Sequence, residues 1–140
     1  MRVTVPALVL TLAVPAVAIA QGTADPAVLT SLPLISDIAP TAVAISPHVP
    51  QMGAHYADPA TLPTGPIWCV IEGHVVCVEY MFPAEALAAG QSWRGLSTGN
   101  LPAPITHVDL DYMPNGVGPM PIPLYQLHIW FADQALLAQH

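Results

Sequence analysis

The chain has no lysine, and its basic side chains are Arg2 and Arg94 alone, against nine acidic residues for a formal net charge of −7. Holding a phosphate backbone or an anionic lipid surface requires cationic side chains, so nucleic acid and anionic membranes are poor partners. Cations, or ligands without charge, suit the composition better. Several reaction signatures are also missing. There is no glycine-rich phosphate loop, no Cys-x-x-Cys pair and no His-Glu-x-x-His or His-x-His spacing. Ser92, in Gly90-Gln91-Ser92-Trp93-Arg94-Gly95, has neither the flanking pattern nor the strand-to-helix context of a nucleophile elbow. Internal repeats are absent as well.

What is present begins with a leader. Met1-Arg2 is a minimal basic segment, residues 3–17 form an apolar run, and Ala18-Ile19-Ala20 is an A-x-A cleavage site before Gln21. We therefore expect an exported, periplasmic or extracellular protein cut after Ala20. An uncleaved anchor is the competing reading, with Arg2 as its only cytoplasmic mark. No cysteine follows the apolar run closely enough for lipid attachment. Cleavage would leave Arg94 as the single basic side chain and one domain's length of chain, enough for one core without metal or staple.

Residues 21–49 form a Pro/Ala-rich arm in which Pro26, Pro33, Pro40 and Pro47 break any helix longer than a turn or two. Its Leu29, Leu32, Leu34, Ile35 and Ile38 are too apolar for a free linker, so the arm should lie over the core, with a strand near 42–45. The compact part, 50–140, opens with a Gly/Pro loop at 50–66. Runs 67–71 and 75–82, rich in β-branched and aromatic residues, flank Glu72-Gly73-His74 and predict a hairpin. Residues 83–89 predict a short helix, with Pro83 at its start and Gly90 past its end. Two further strands follow at 105–113 and 124–131, joined across a Gly/Pro turn region. Asp133 caps a short C-terminal helix. The expected fold is one small domain, mainly β, an antiparallel sheet or sandwich-like arrangement with two short helices.

Imidazole is the commonest protein metal ligand, and three histidines fall on apolar, strand-like ground: His55, His107 and His128. His107 and Asp109 are two apart and share a strand face. His128 lies on the expected neighbouring strand, and Glu79 points from the hairpin's second strand. A site of His55, Glu79, His107, Asp109 and His128 would suit a divalent metal ion in the His/carboxylate style. The plainer use of these groups is hydrogen bonding on a half-wet sheet face. Met52, Met81, Met113 and Met120 are dispersed and read as gap-fillers in the core ahead of a Met/His copper site. Trp68, Tyr80, Phe82, Trp130 and Phe131 read as core packing.

Cys69 and Cys77 pair only in one hairpin register. A three-residue loop at Glu72-Gly73-His74 sets Cys69 opposite Cys77. A two-residue turn at Glu72-Gly73 sets Cys69 opposite Val76 and sends the two sulfurs to opposite faces. Gly73 suits a tight turn and Glu72 does not, so both registers stay open.

The runs Pro50-Gln51-Met52-Gly53-Ala54-His55-Tyr56, Asp58-Pro59, Leu62-Pro63, Gly65-Pro66-Ile67-Trp68, Glu79-Tyr80-Met81, Pro104-Ile105-Thr106-His107-Val108-Asp109 and Pro123-Leu124-Tyr125-Gln126-Leu127-His128 together resemble a small family of secreted bacterial and archaeal proteins of unknown function. The chain is similar to a sigma-E-controlled Thermus protein of that group. The resemblance implies a compact β-rich exported domain that forms homo-oligomers, with no established reaction. The family pattern shows Asn-Gly where Glu72-Gly73 stands, which implies the two-residue turn and no Cys69–Cys77 bond. It places histidines where Val117 and Leu124 stand here.

The reading is an exported, non-enzymatic domain that binds a partner, a ligand or its own copies, with a bound divalent cation. The alternative is a metal-dependent envelope hydrolase or oxygenase built on the same His/carboxylate set, which would need three ligands and an open position.

Overall fold

The structure is a computed structural model of the chain and describes residues 25–98, 103–118 and 120–140. The leader expected at residues 1–20 and its cut after Ala20 lie outside the described residues. Among the described residues no helix is long and apolar enough to cross a membrane.

Among the described residues six strands form a single antiparallel sheet in the order β1-β2-β3-β4-β6-β5: β1 Val43–Ala44, β2 Ala54–Ala57, β3 Ile67–Ile71, β4 His74–Pro83, β5 His107–Met113 and β6 Leu124–Trp130. The mainly β expectation holds, as one sheet rather than two. The central strands β3 and β4 are buried almost end to end, and their unbroken apolar sequences are what strands covered on both faces require. Strand β5 is an edge, with Val108 and Leu110 54% and 61% exposed, so its alternation is that of a half-wet strand.

Among the described residues four short α-helices stand where two were predicted: α1 Pro26–Ser31, α2 Ile35–Ile38, α3 Ala84–Ala88 and α4 Gln134–Leu137. The two extra helices fall in the proline-rich arm. Pro26 starts α1 rather than breaking it, because a first-turn residue has no intrahelical use for its N–H. The Asp25 carboxylate accepts from Ala27 N at 2.9 Å, and the chain leaves the helix at Leu32, ahead of Pro33. Leu29 and Leu32 are buried with Leu136 and Leu137 in the larger hydrophobic cluster. The hairpin tip holds the arm in place. His74 Nδ1 donates to Leu32 O at 2.7 Å, Val75 N to Pro33 O at 2.9 Å and Ile35 N to Gly73 O at 2.9 Å.

The segment 50–66 is also more ordered than a loop. It contains β2 and a 3-10 turn at Pro59–Thr61 capped by Asp58. Gly53 makes the approach of β2 to β3 possible. Its φ is 80°, and a Cβ there would collide with the Val70 carbonyl and the Ile71 side chain.

The β3–β4 hairpin resolves the cysteine question in a third way. Glu72 and Gly73 both have positive φ, 49° and 86°, as in a two-residue primed turn, and Ile71 pairs with His74. The register then shifts between Val70 and Cys69, because Val76 is an extra residue that no β3 residue opposes. That bulge returns Cys69 to a position opposite Cys77, and the two are disulfide-bonded with Cα atoms 4.9 Å apart. The implied absence of this bond is thus corrected. The turn is the short one, and the bulge supplies the missing residue. The freed Val76 carbonyl accepts from Phe131 N at 2.9 Å.

Candidate ligand pocket

Strand register places all five predicted site residues on one face of the sheet, in two adjacent rows. One row runs His55, Cys69, Cys77, Trp130, His107, and the next runs Ala57, Ile67, Glu79, His128, Asp109. In the first row the disulfide and the Trp130 indole fill the space between the two histidines. His107 stacks on Trp130, with ring centroids 5.5 Å apart and planes 10° apart, and His128 stacks on the same indole at 5.5 Å. A single pocket holding His55, His107 and His128 together is therefore not formed. The expectation treated opposed strands as bringing their histidines together and did not place Trp130 between them.

The five residues divide into two groups. His107 Nε2 is 3.7 Å from Asp109 Oδ2, which also accepts from Trp130 Nε1 at 2.8 Å, while Thr106 Oγ1 meets His107 Nδ1 at 2.9 Å. His107, Asp109 and Trp130 border a cavity of about 800 Å³ beside α4, and they interact with one another.

The second group is buried. Glu79 and His128 are 2% and 4% exposed. Glu79 Oε2 lies 3.4 Å from His55 Nε2 and 3.8 Å from His128 Nε2, and Gln126 Nε2 donates to Glu79 Oε1 at 2.7 Å. Burial alone would push the Glu79 carboxyl up, but the His128 and His55 imidazoles outweigh it and hold it down at about 2, from an ordinary 4.5. His128 lies between two carboxylates, with Nδ1 3.4 Å from Asp111 Oδ2. Neither of its ring nitrogens makes a hydrogen bond to the described residues, because 3.8 Å and a poorly aligned 3.4 Å are ion-pair separations.

His55 is held from behind. Ser46 Oγ lies 2.9 Å from His55 Nδ1, accepts from His55 N at 2.9 Å and donates to Pro47 O at 2.8 Å. Ser46 has one proton to give. The assignment that satisfies every partner places a proton on His55 Nδ1 and turns Nε2 toward Glu79.

Above Glu79 and His55 opens a pocket of about 770 Å³. Its floor is the sheet face at Ile67, Glu79, Met81 and Gln126. One wall runs from Ile45 through Met52 to Leu62, and the other from Met113 to Met120. The lining is chiefly apolar with a few converging polar groups, the usual make-up of a small-molecule site. Unlike the slightly larger cavity at His107, this one has a buried carboxylate, Glu79, in its lining. Val117 and Leu124, where the resemblance places histidines, both belong to its hydrophobic cluster, so this chain has apolar groups there.

Among the described residues no three His, Cys, Asp or Glu side chains are arranged around one point to hold a metal ion. Sequence reasoning missed Ser46, Asp111 and Gln126. The last was legible, since Leu124, Gln126, His128 and Trp130 alternate on one face of β6; nothing in the sequence marks Ser46.

The class defined by these elements is a small six-stranded antiparallel β domain with a lined pocket on one face. No protein-family model matches the chain, and no curated protein matches it. Among solved structures it is similar to a hypothetical protein from Thermus thermophilus, TTHB210, with a TM-score of 0.56 and 24% identity over 65% of this chain and 87% of that one. That likeness establishes a shared fold.

Proposed function

We propose that the protein is an exported, non-enzymatic member of the secreted, sigma-E-linked family its motifs resemble, and that it binds a small ligand in the pocket over Glu79. The observation that carries this reading is the pocket itself: apolar walls around a buried, ionised carboxylate flanked by His55 and Gln126. The hydrolase or oxygenase alternative is less well supported, because its three-ligand set has no counterpart among the described residues. Self-association through the exposed face of β5 is the other competitor. Asp109 and Asp111 on that strand, in a chain of charge −7, set like charges against each other in a paired edge.

The test is uptake of Nile red, a neutral apolar fluorophore, by the folded protein. A saturable fluorescence rise is expected, lost in Ile45→Trp, whose indole fills the mouth of the pocket from a position already 41% exposed. Uptake unchanged in that variant, or none in the parent, would refute the reading.

A further inference from the structure

Every methionine after Met1 lines one pocket. Met52 precedes β2, Met81 is on β4, Met113 ends β5 and Met120 follows in the β5–β6 connection, and all four border the same cavity as His55. Met52 packs against the larger core cluster and the other three belong to the smaller one at the pocket. The buried members of the larger core cluster include no methionine, whereas Met81 and Met120 are buried at the pocket with Met113 packed against them.

Thioethers are neutral, polarizable donors that favour soft ions, Cu(I) above all. Both cysteines are tied in the disulfide, so thioethers are the soft donors this chain has left. In an oxidising compartment they keep their donor character where paired thiols would not. An apolar wall favours a single positive charge over a double one, since desolvation cost rises with the square of the charge. His55 adds a nitrogen donor. With Nδ1–H given to Ser46, its Nε2 faces Glu79 Oε2 at 3.4 Å, and a soft cation entering the pocket would take Nε2 in place of the proton shared with that carboxylate.

We propose that the pocket is a Cu(I) site in which Met81, Met113 and Met120, with Met52 at the rim, and His55 Nε2 are the donors and Glu79 supplies the balancing negative charge. This inference rests on the reading of the pocket as a ligand site. It names the ligand class as a soft monovalent cation, where the sequence pattern suggested a divalent one.

The test is titration of the folded, disulfide-intact protein with Ag(I), a redox-inert stand-in, and anaerobically with Cu(I) against the chromogenic chelator bicinchoninate. The methionine methyl resonances are followed by NMR. Saturation at one equivalent with shifts of the Met81, Met113 and Met120 methyls is expected, with affinity lowered about tenfold or more by Met81→Leu with Met120→Leu. Leucine conserves volume there, and Met113→Leu at the half-buried position, with His55→Gln, gives a second pair should the first not fold. Unmoved methyls, affinity intact in the variants, or stronger uptake of Zn(II) than of Cu(I) would each overturn the proposal. Nile red uptake without Ag(I) binding sinks the metal alone; absence of Nile red uptake sinks the pocket reading on which it rests.

Discussion

Glu79 is the residue on which the site depends, and its ionisation is tied to folding. Its carboxyl titrates at about 2 in the folded protein and near 4.5 ordinarily. A lowered carboxyl stabilises the fold fully above about pH 4.5, and this contribution is lost as the pH falls toward and through about 2. Thermal unfolding followed between those limits should show a falling midpoint in the parent and a flatter profile in Glu79→Gln. At neutral pH that variant should be less stable by about 1–3 kcal/mol, since it leaves two imidazoles without their carboxylate. An equally steep acid limb in the variant would assign the loss to other groups. Much of this was legible: His55, Glu79 and His128 stand out in sequence as polar residues on apolar strands, and they meet. His107 does not join them, because Trp130, read as core, stacks between. The methionines were legible as residues but not as a group, since only the fold brings positions 52, 81, 113 and 120 to one cavity.

At the scale of elements, the β3–β4 turn offers the cleanest test. Glu72 sits at φ 49°, a conformation that costs a side chain with a Cβ about 1 kcal/mol and that asparagine tolerates. Glu72→Asn should therefore stabilise the protein by about 0.5–1 kcal/mol in chemical denaturation and leave no titratable thiol under denaturing, non-reducing conditions. Destabilisation, or the appearance of two thiols, would mean that the turn or its bulge is misassigned. The strands at 67–71, 74–83, 107–113 and 124–130 were readable because their side-chain pattern reports burial directly. Strand β2 was not, since alanine carries little β preference and Gly and Pro flank it; pairing with β3 decides it. The bulge at Val76 was equally hidden, being an answer to register rather than to any local preference.

At the scale of the whole molecule, the expected leader ends five residues before Asp25, whose carboxylate caps α1, so a cut after Ala20 leaves the arm's first helix intact. Sequencing the N-terminus of the secreted protein should begin at Gln21, and an intact Met1 on a membrane-bound form would refute export. The sheet order, with β6 inserted between β4 and β5, came from pairing that no sequence pattern specifies. The pocket it creates has a floor and walls of different origin. Register across the central strands fixes Glu79, Met81 and Gln126, while connections between strands supply Ile45, Met52, Leu62, Val117 and Met120. For divergence within a lineage, those two parts are separable. Substitutions in the connections can reshape the cavity one residue at a time without disturbing a single strand pairing, so descendants of this fold are free to remodel its walls while keeping the acid at its base.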